Sequence, residues 1–199
     1  MKAFEPFSAI SFFVEKPSIC DACKKSFGRG GESWKVGNVS CEAIYPYSQT
    51  IRSVIYQFKG CHDYELRTVF LEGMHWYYRL RFHGYVIVPV PSYAAHDEAR
   101  GFNHVYEIFS QIGLPMVKAI KKNKDIKQAS LGRRKRKQVK HALELIKPKF
   151  VTNKKILLVD DVYTTGSTIK ACINLLQKAK PRTIHVLVLA KVDRHKNDP

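Results

Sequence analysis

The stretch KILLVDDVYTTGSTI, residues 155–169, decides the fold of this chain. Its four apolar residues 156–159 predict a strand that is buried on both faces, as in a parallel sheet. Asp160 and Asp161 follow directly, and the carboxyl end of such a strand is where open α/β sheets bind ligands. Beyond the turn, apolar residues recur at helical spacing, which predicts that a helix begins there. These residues are Ile169, Cys172, Ile173 and Leu176.

The turn in this stretch is small, uncharged and rich in hydroxyl groups, and these properties favour an anion. A phosphate can contact several backbone N–H groups only where no bulky side chain intervenes, and Gly166 gives that access. The N–H groups at the start of a helix also attract negative charge. The residues predicted to hold a phosphate are Thr164, Thr165, Gly166, Ser167 and Thr168.

The two acids must serve another part of the ligand, because carboxylates repel phosphate. They suit the hydroxyl groups of a sugar, or a Mg²⁺ ion, which prefers oxygen ligands. The stretch therefore predicts a site for a sugar phosphate, with Mg²⁺ as the cofactor. The Walker pattern of P-loop nucleotidases is absent from the sequence. The alternative is a plain strand, turn and helix whose Ser and Thr residues only cap the helix.

The same stretch resembles the 5-phosphoribosyl-1-diphosphate (PRPP) binding motif of type I phosphoribosyltransferases. The resemblance implies that Asp160 and Asp161 are the catalytic pair and contact the ribose hydroxyls. It also implies that the turn from Thr164 to Thr168 holds the 5-phosphate. The implied fold is an α/β phosphoribosyltransferase-like core, in which helices flank a parallel sheet.

Further motifs resemble the ComF family of competence-associated phosphoribosyltransferase-like proteins. They are Pro89-Val90-Pro91, then Arg100-Gly101-Phe102-Asn103, then Gln128 with Leu131 and Arg136, with a weaker echo in Phe58-Lys59-Gly60. The resemblance covers roughly the last three-fifths of the chain. It implies that Pro91, Ser92, Arg100 and Asn103 belong to the wall of the PRPP site, although Asn103 could simply cap a helix. It also implies a role in DNA uptake, with a competence helicase or other DNA-uptake proteins as partners.

The sequence also departs from the family pattern. Where relatives tend to have basic residues, this chain has Ala95, His96, Asp97 and Glu98, and negative charge there should weaken diphosphate binding. Gln138 and Leu143 stand where relatives have Asn and Phe. Two functions therefore stay open. The favoured one is a binding and partner module of natural transformation; the other is an active transferase that moves phosphoribose from PRPP to a base or another nucleophile.

The charge of the chain is strongly positive. Its 34 Lys and Arg residues face 17 acidic ones, which gives a formal charge of +17 and a pI near 9.7. Eleven of these cations and one acid, Asp125, lie between Lys118 and Lys140. This exceeds what one diphosphate needs, so the stretch predicts contact with a polyanion such as single-stranded DNA. A solvated loop is the alternative interpretation. The predicted nucleic-acid residues are Lys127, Arg133, Arg134, Lys135, Arg136 and Lys137.

The alternation of strand and helix patterns predicts an α/β domain over residues 56–199, preceded by a small module over residues 1–55. Strands are predicted over Tyr85–Val90, Met116–Ile120 and Thr183–Ala190, and helical character over Leu66–Phe82. Such alternation implies a parallel sheet with right-handed crossovers. No span has the ~20 apolar residues of a membrane helix, and no signal peptide is recognised, so a cytoplasmic location is expected.

The module at the amino terminus carries Cys20-Asp-Ala-Cys23, a spacing that suits half of a zinc site. A structural zinc needs four ligands, so Cys41 is the predicted third ligand and Cys61 or His62 the fourth. Together these residues predict a zinc-knuckle-like module with structural Zn²⁺. Buried, unliganded thiols and a redox-active pair are the alternatives. The eight histidines show no cluster or metal spacing.

Overall fold

The computed structural model describes residues 19–28, 30–122 and 143–192. Its strands, in chain order, are β1 (Ser33–Val36), β2 (Val39–Pro46), β3 (Tyr85–Pro89), β4 (Ile120–Lys122), β5 (Leu143–Leu145), β6 (Lys155–Tyr163) and β7 (Thr183–Lys191). The helices are α1 (Asp21–Ser26), α2 (Gln49–Gly60), α3 (His75–Arg81), α4 (Ala94–Arg100), α5 (His104–Ser110) and α6 (Ser167–Gln177). Short 3₁₀ turns span Tyr64–Thr68 and Pro148–Phe150.

A five-stranded sheet with the order β1-β2-β7-β6-β3 organises the chain. Only β1 runs antiparallel to its neighbour; β2, β7, β6 and β3 are parallel. Val159 of β6 lies opposite Pro89 of β3 and Leu187 of β7, so these three strands end along the same edge. The predicted apolar strand is confirmed, because residues 156–159 are fully buried.

Two hydrophobic layers cover the two faces of the sheet, because successive strand residues point to opposite sides. On one face, Leu157 and Leu187 pack with α2, α3 and α5. On the other face, Leu158 and Val186 pack with α6. Cys172 lies in this second layer as a fully buried thiol. The predicted fold class, an α/β core with helices flanking a parallel sheet, is confirmed.

The described part of the amino-terminal region enters the same sheet. β2 pairs with β7 in parallel, from Ser40 opposite His185 to Pro46 opposite Lys191. Cys41 and Ala43 are buried in the layer beneath α6. The predicted boundary between residues 55 and 56 falls inside α2, whose first turn is capped by the Ser48 side chain. The buried residues of β2 and α2 therefore belong to the hydrophobic core, and the division into a module over residues 1–55 and a domain over residues 56–199 stays a prediction.

Two predicted elements differ from the structure. The helical segment Leu66–Phe82 is divided into a 3₁₀ turn and the shorter α3, because Gly73 has a left-handed φ of 73°. The strand Met116–Ile120 is reduced to an isolated parallel bridge from Met116 to Ile87. The chain then leaves the sheet, and β4 pairs antiparallel with β5. Within the residues that the structure describes, no helix is long and apolar enough to cross a membrane.

Candidate functional site

The acidic pair lies where two neighbouring parallel strands separate. Pairing between β3 and β6 ends at Pro89 and Val159, with one more hydrogen bond from the Val90 N–H to the Val159 carbonyl. β6 continues through Asp160 and Asp161, while the chain after β3 turns away. The divergence opens a crevice at the carboxyl edge of the sheet, which is the usual ligand position in such folds.

The hydroxyl-rich turn follows directly and leads into α6. The Thr165 and Ser167 hydroxyls lie 2.9 Å apart, and the Ser167 N–H points to the Thr165 hydroxyl at 3.3 Å. Gly166 has a φ of 68°, and a Cβ at this position would overlap the Tyr163 hydroxyl. Glycine is therefore required here for both conformation and space. A cavity of about 40 Å³ lies between this turn and Asp160.

Asp161 is buried and held by two partners from distant parts of the chain. Its Oδ2 atom lies 2.6 Å from Nζ of Lys59, at the end of α2, and 3.4 Å from Nε2 of His104, at the start of α5. Its Oδ1 atom accepts the Val162 N–H at 2.7 Å. Asp161 itself is 7% exposed, so these partners compensate for the water that the carboxylate has lost.

Arg100 orients both partners of Asp161. Its Nη1 lies 3.0 Å from Nδ1 of His104, and its Nε donates to the Lys59 carbonyl at 2.9 Å. A guanidinium has no acceptor atom, so Nδ1 of His104 must accept and the ring proton of the neutral imidazole sits on Nε2, facing Asp161. The contacts among Lys59, Arg100, His104 and Asp161 therefore form a closed network.

Asn103 caps α5 and also holds the wall of the crevice. Its Oδ1 accepts the Tyr106 N–H at 2.8 Å, while its Nδ2 donates to Asp97 at 2.7 Å and to the Ser92 hydroxyl at 3.0 Å. Ser92 and Arg100 also donate to the Asp97 carboxylate. The negative charge of Asp97 is thus engaged by three donors within the wall.

A second cavity, of about 190 Å³, lies against Pro91 and Ser92. Its opposite side carries three cations on and beside β4, namely Lys118, Lys121 and Lys122. The loop after β3 lacks the basic residues of the family pattern, but these lysines bring positive charge to the same cavity. This placement could not be predicted from the sequence, because it depends on how β4 folds back against the loop, where Lys122 forms a bridge with Tyr93.

The two neighbouring carboxyl groups have opposite pKa shifts. Burial, and then the charge of Asp161, raise the pKa of Asp160 well above its usual range. Burial acts on Asp161 in the same direction, but the hydrogen bond from His104 and the charge of Lys59 outweigh it, so the pKa of Asp161 is lowered. Asp161 is therefore the charged member of the pair, and Asp160 takes up a proton first as the pH falls.

Lys59 and His104 were not predicted as site residues. Lys59 is 102 positions from Asp161, and its only signal was the short Phe58-Lys59-Gly60 echo. His104 belongs to no histidine cluster, but it directly follows the Arg100–Asn103 motif. The predicted nucleic-acid residues Lys127, Arg133, Arg134, Lys135, Arg136 and Lys137 lie outside the described residues, as do Gln128 and Gln138.

The four cysteines predicted as zinc ligands do not come together. Cys20 and Cys23 are exposed at the start of α1, Cys61 is exposed after α2, and Cys41 is buried within the sheet. Cys41 is held there because it belongs to the hydrophobic layer beneath α6. Over residues 19–28, 30–122 and 143–192, no group of three or more His, Cys, Asp or Glu side chains could hold a metal ion. The four-cysteine zinc site stays a prediction from the sequence.

A model of the phosphoribosyl transferase domain family matches residues 93–199, which include the acidic pair and the hydroxyl-rich turn. The chain belongs to this family. The match begins just after the loop that follows β3, so β6, the turn and α6 all lie within the shared domain.

Similarity to individual proteins extends further. Competence protein ComFC of Streptococcus pneumoniae is 27% identical, over 96% of this chain and 96% of its own length. Adenine phosphoribosyltransferase of Dichelobacter nodosus is 29% identical over 52% of this chain and 59% of its own length. Among solved structures, the allosteric regulatory enzyme of purine biosynthesis aligns with 62% of this chain at 17% identity and a TM-score of 0.44. This chain spans only 26% of that structure's length.

The opposite pKa shifts predict opposite stability effects for the two acids. Raising the folded-state pKa of Asp160 gives stability that is present in acid and lost as the pH rises through that pKa. Asp160→Asn should therefore raise the melting temperature at pH 7, and this gain should disappear towards pH 4. Asp161→Asn should lower it at pH 7, by the equivalent of ~1–3 kcal/mol, because the amide removes the negative charge that pairs with Lys59 and replaces one of the two acceptor oxygens with an NH₂ donor.

Thermal melts between pH 2.5 and 8 test this pair, since the Asp161 contribution should stay near its full size above about pH 5 and shrink as the pH falls below that value towards the lowered pKa. Asp63→Asn, at an exposed position outside the crevice, is the matched control and should change little. Shifts of the same sign for both variants at pH 7 would contradict the assignment.

Proposed function

We propose that this chain binds a PRPP-like sugar phosphate together with Mg²⁺ at the crevice between β3 and β6. The observation that carries the proposal is the junction of an acidic pair with a hydroxyl-rich turn at a helix start, inside a phosphoribosyl transferase domain. Asp160 and Asp161 bind the ribose hydroxyls. Thr164, Thr165, Gly166, Ser167 and Thr168 receive the 5-phosphate, which replaces the Thr165 hydroxyl as the acceptor for the Ser167 N–H.

The diphosphate of such a ligand lies in the second cavity, beside Pro91 and Ser92. Lys118, Lys121 and Lys122 line this cavity and supply the positive charge that diphosphate requires. Asp97 does not oppose binding there, because Ser92, Arg100 and Asn103 already donate to its carboxylate. Arg100 and Asn103 act from within the wall and position the residues around them.

The residues of the crevice fit Mg²⁺. This ion is commonly bound by one or two carboxylates together with phosphate oxygens and water. Asp160 faces the small cavity beside the turn, whereas Asp161 is already bound to Lys59 and His104. Asp160 is therefore the residue that would hold the ion, which would neutralise charge on the diphosphate. Its raised pKa means that binding should strengthen as the pH rises and Asp160 loses its proton.

We further propose a competence-associated role in DNA uptake, within the cytoplasm. Similarity to competence protein ComFC over 96% of both chains supports this assignment. The formal charge of +17 supports single-stranded DNA as a ligand of the cationic stretch Lys118–Lys140. A competence helicase or another DNA-uptake protein would be the protein partner.

Active phosphoribosyl transfer is the second candidate function. The 29% identity to an adenine phosphoribosyltransferase supports it, over 52% of this chain. In that case Asp160 and Asp161 would be catalytic, because they would hold the ribose whose bond to diphosphate breaks. The two functions differ in a product assay, since only a transferase converts PRPP and a base into a nucleotide and diphosphate.

PRPP with Mg²⁺ should raise the melting temperature, because a ligand that binds only the folded state stabilises it by mass action. At a ligand concentration 100 times Kd, the gain is ~2.7 kcal/mol. The double variant Asp160→Asn with Asp161→Asn should abolish the shift, whereas Asp63→Asn should retain it. A full shift in the double variant would remove the acids from the site. Nucleotide formation with any common base in the same samples would establish the transferase function.

Single-stranded DNA should bind with a steep salt dependence, because each phosphate contact releases a counterion. With six or more contacts, affinity should fall by ~10³ or more between 50 and 200 mM salt. Alanine at residues 133–137 should flatten this slope. The matched control replaces five exposed cations elsewhere, namely Lys25, Lys35, Arg52, Lys154 and Lys178.

That control removes the same number of charges, so its slope should change less than that of the variant at residues 133–137. Equal slopes in the two variants would show that net charge alone attracts the DNA. If the unmodified protein does not bind single-stranded DNA at 50 mM salt, direct DNA binding is excluded, and a role in DNA uptake would require a protein partner.

A further inference from the structure

A large open groove lies next to the cavity proposed for the diphosphate and shares Asn103 and Lys118 with it, while the rest of its lining has no role in binding the proposed sugar phosphate. Its volume is about 870 Å³, and it runs between the Arg100–Tyr106 segment and residues 116–118 and 147–150. Four aromatic side chains line it, namely Tyr64, Phe102, Tyr106 and Phe150. Three cations accompany them, namely Arg100, Lys118 and Lys147.

The inner wall of the groove is rigid. The centre of the Phe102 ring lies 5.1 Å from the centre of the Phe58 ring, and the two rings are stacked. It lies at the same distance from the centre of the Tyr64 ring, which it meets edge-on. The Tyr64 hydroxyl donates to Glu107 at 2.9 Å, and Arg67 covers the Tyr64 ring at 4.1 Å. These contacts hold Tyr64 and Phe102 in place without a ligand, so the inner wall keeps one shape.

The rim is different, because it combines an exposed aromatic ring with exposed cations. Phe150 is 57% exposed, although it is a large apolar residue at the end of a short 3₁₀ turn. Lys147 and Lys118 are exposed on the same groove, and Nζ of Lys118 lies 4.8 Å from the Tyr106 ring centre. An aromatic face beside separated cations suits a ligand that alternates flat bases with phosphates.

The groove lies beside the two points at which the cationic stretch Lys118–Lys140 joins the described chain. Lys118 is the first cation of Lys118–Lys140, and Lys147 follows β5, where the described chain resumes. Both flanks of the stretch thus lie on one groove. Duplex DNA cannot use the aromatic rings, because its bases are stacked on each other; a single strand can turn its bases onto them.

We propose that this groove is a track for single-stranded DNA, in which a base stacks on Phe150 and phosphates lie against Lys118 and Lys147. This inference rests on the DNA role under the proposed function and gives that role a site outside residues 123–142. Stacking tolerates any base, so binding has little sequence preference.

The test is the affinity of a fluorescent single-stranded oligodeoxynucleotide, measured by anisotropy at several salt concentrations. Phe150→Ala should weaken binding about tenfold, because it removes one stacking platform. It should leave the salt slope unchanged, since phenylalanine releases no counterion. Lys147→Ala should instead reduce the slope by about one. With an oligonucleotide of abasic sites, Phe150→Ala should have no effect, because no base remains to stack.

The matched control is Trp76→Ala, which removes another exposed aromatic, 63% exposed on α3 and outside the groove. It should bind like the unmodified protein. Equal affinity of Phe150→Ala and unmodified protein would overturn the groove assignment while the salt-dependent DNA role stands. Absence of DNA binding by the unmodified protein would overturn both. Displacement of the oligonucleotide by millimolar free adenine or hypoxanthine would assign the groove to a small acceptor base and overturn the track.

Discussion

The Asp161 carboxylate requires charged or hydrogen-bonding partners, and the rest of the site depends on how the fold provides them. An ionised carboxylate that is 7% exposed costs several kcal/mol unless it is paired. Lys59 pairs with it from α2 and His104 from α5, and Arg100 at the end of α4 fixes both. One buried charge therefore ties three helices to the edge of β6.

Among the residues that the structure describes, the neighbouring Asp160 has no such cation partner of its own, and its pKa shifts in the opposite direction. Asp161 uses the available cations, so Asp160 stays beside a negative charge in a partly buried position and its pKa rises. In the fold alone this arrangement is unfavourable, and a neutral side chain would be more stable. Such a cost is common at functional sites, where groups are held ready for a ligand rather than for the fold. A cation or a set of sugar hydroxyls would relieve it.

Lysine side chains near the acidic pair line two surfaces, the second cavity and the aromatic groove. Lys118, Lys121 and Lys122 face the loop after β3, and they compensate for the basic residues that this loop lacks. Lys118 also lines the aromatic groove, as does Lys147. The second cavity and the groove share Asn103 and Lys118, so a sugar phosphate and a polyanion would meet at a common wall. These lysines thus divide positive charge between two adjoining surfaces.

The arrangement of β6, the turn that follows it and α6 could be predicted from the sequence. The strand Ile156–Val159, the acidic pair, the glycine turn and the apolar face of α6 lie within a few residues of each other, so covalent spacing alone sets their geometry. The fold class followed for the same reason, because alternating strand and helix patterns admit few arrangements.

The partners of these residues were decided only by the tertiary structure. Lys59 reaches Asp161 across 102 positions, β2 joins the sheet through β7, and Cys41 is buried away from Cys20 and Cys23. Phe150 and Tyr64 line one groove although 86 positions separate them. No spacing rule links residues so far apart. Their contacts follow from burying apolar surface on both faces of one sheet, and from the need to pair a charge that this burial removes from water.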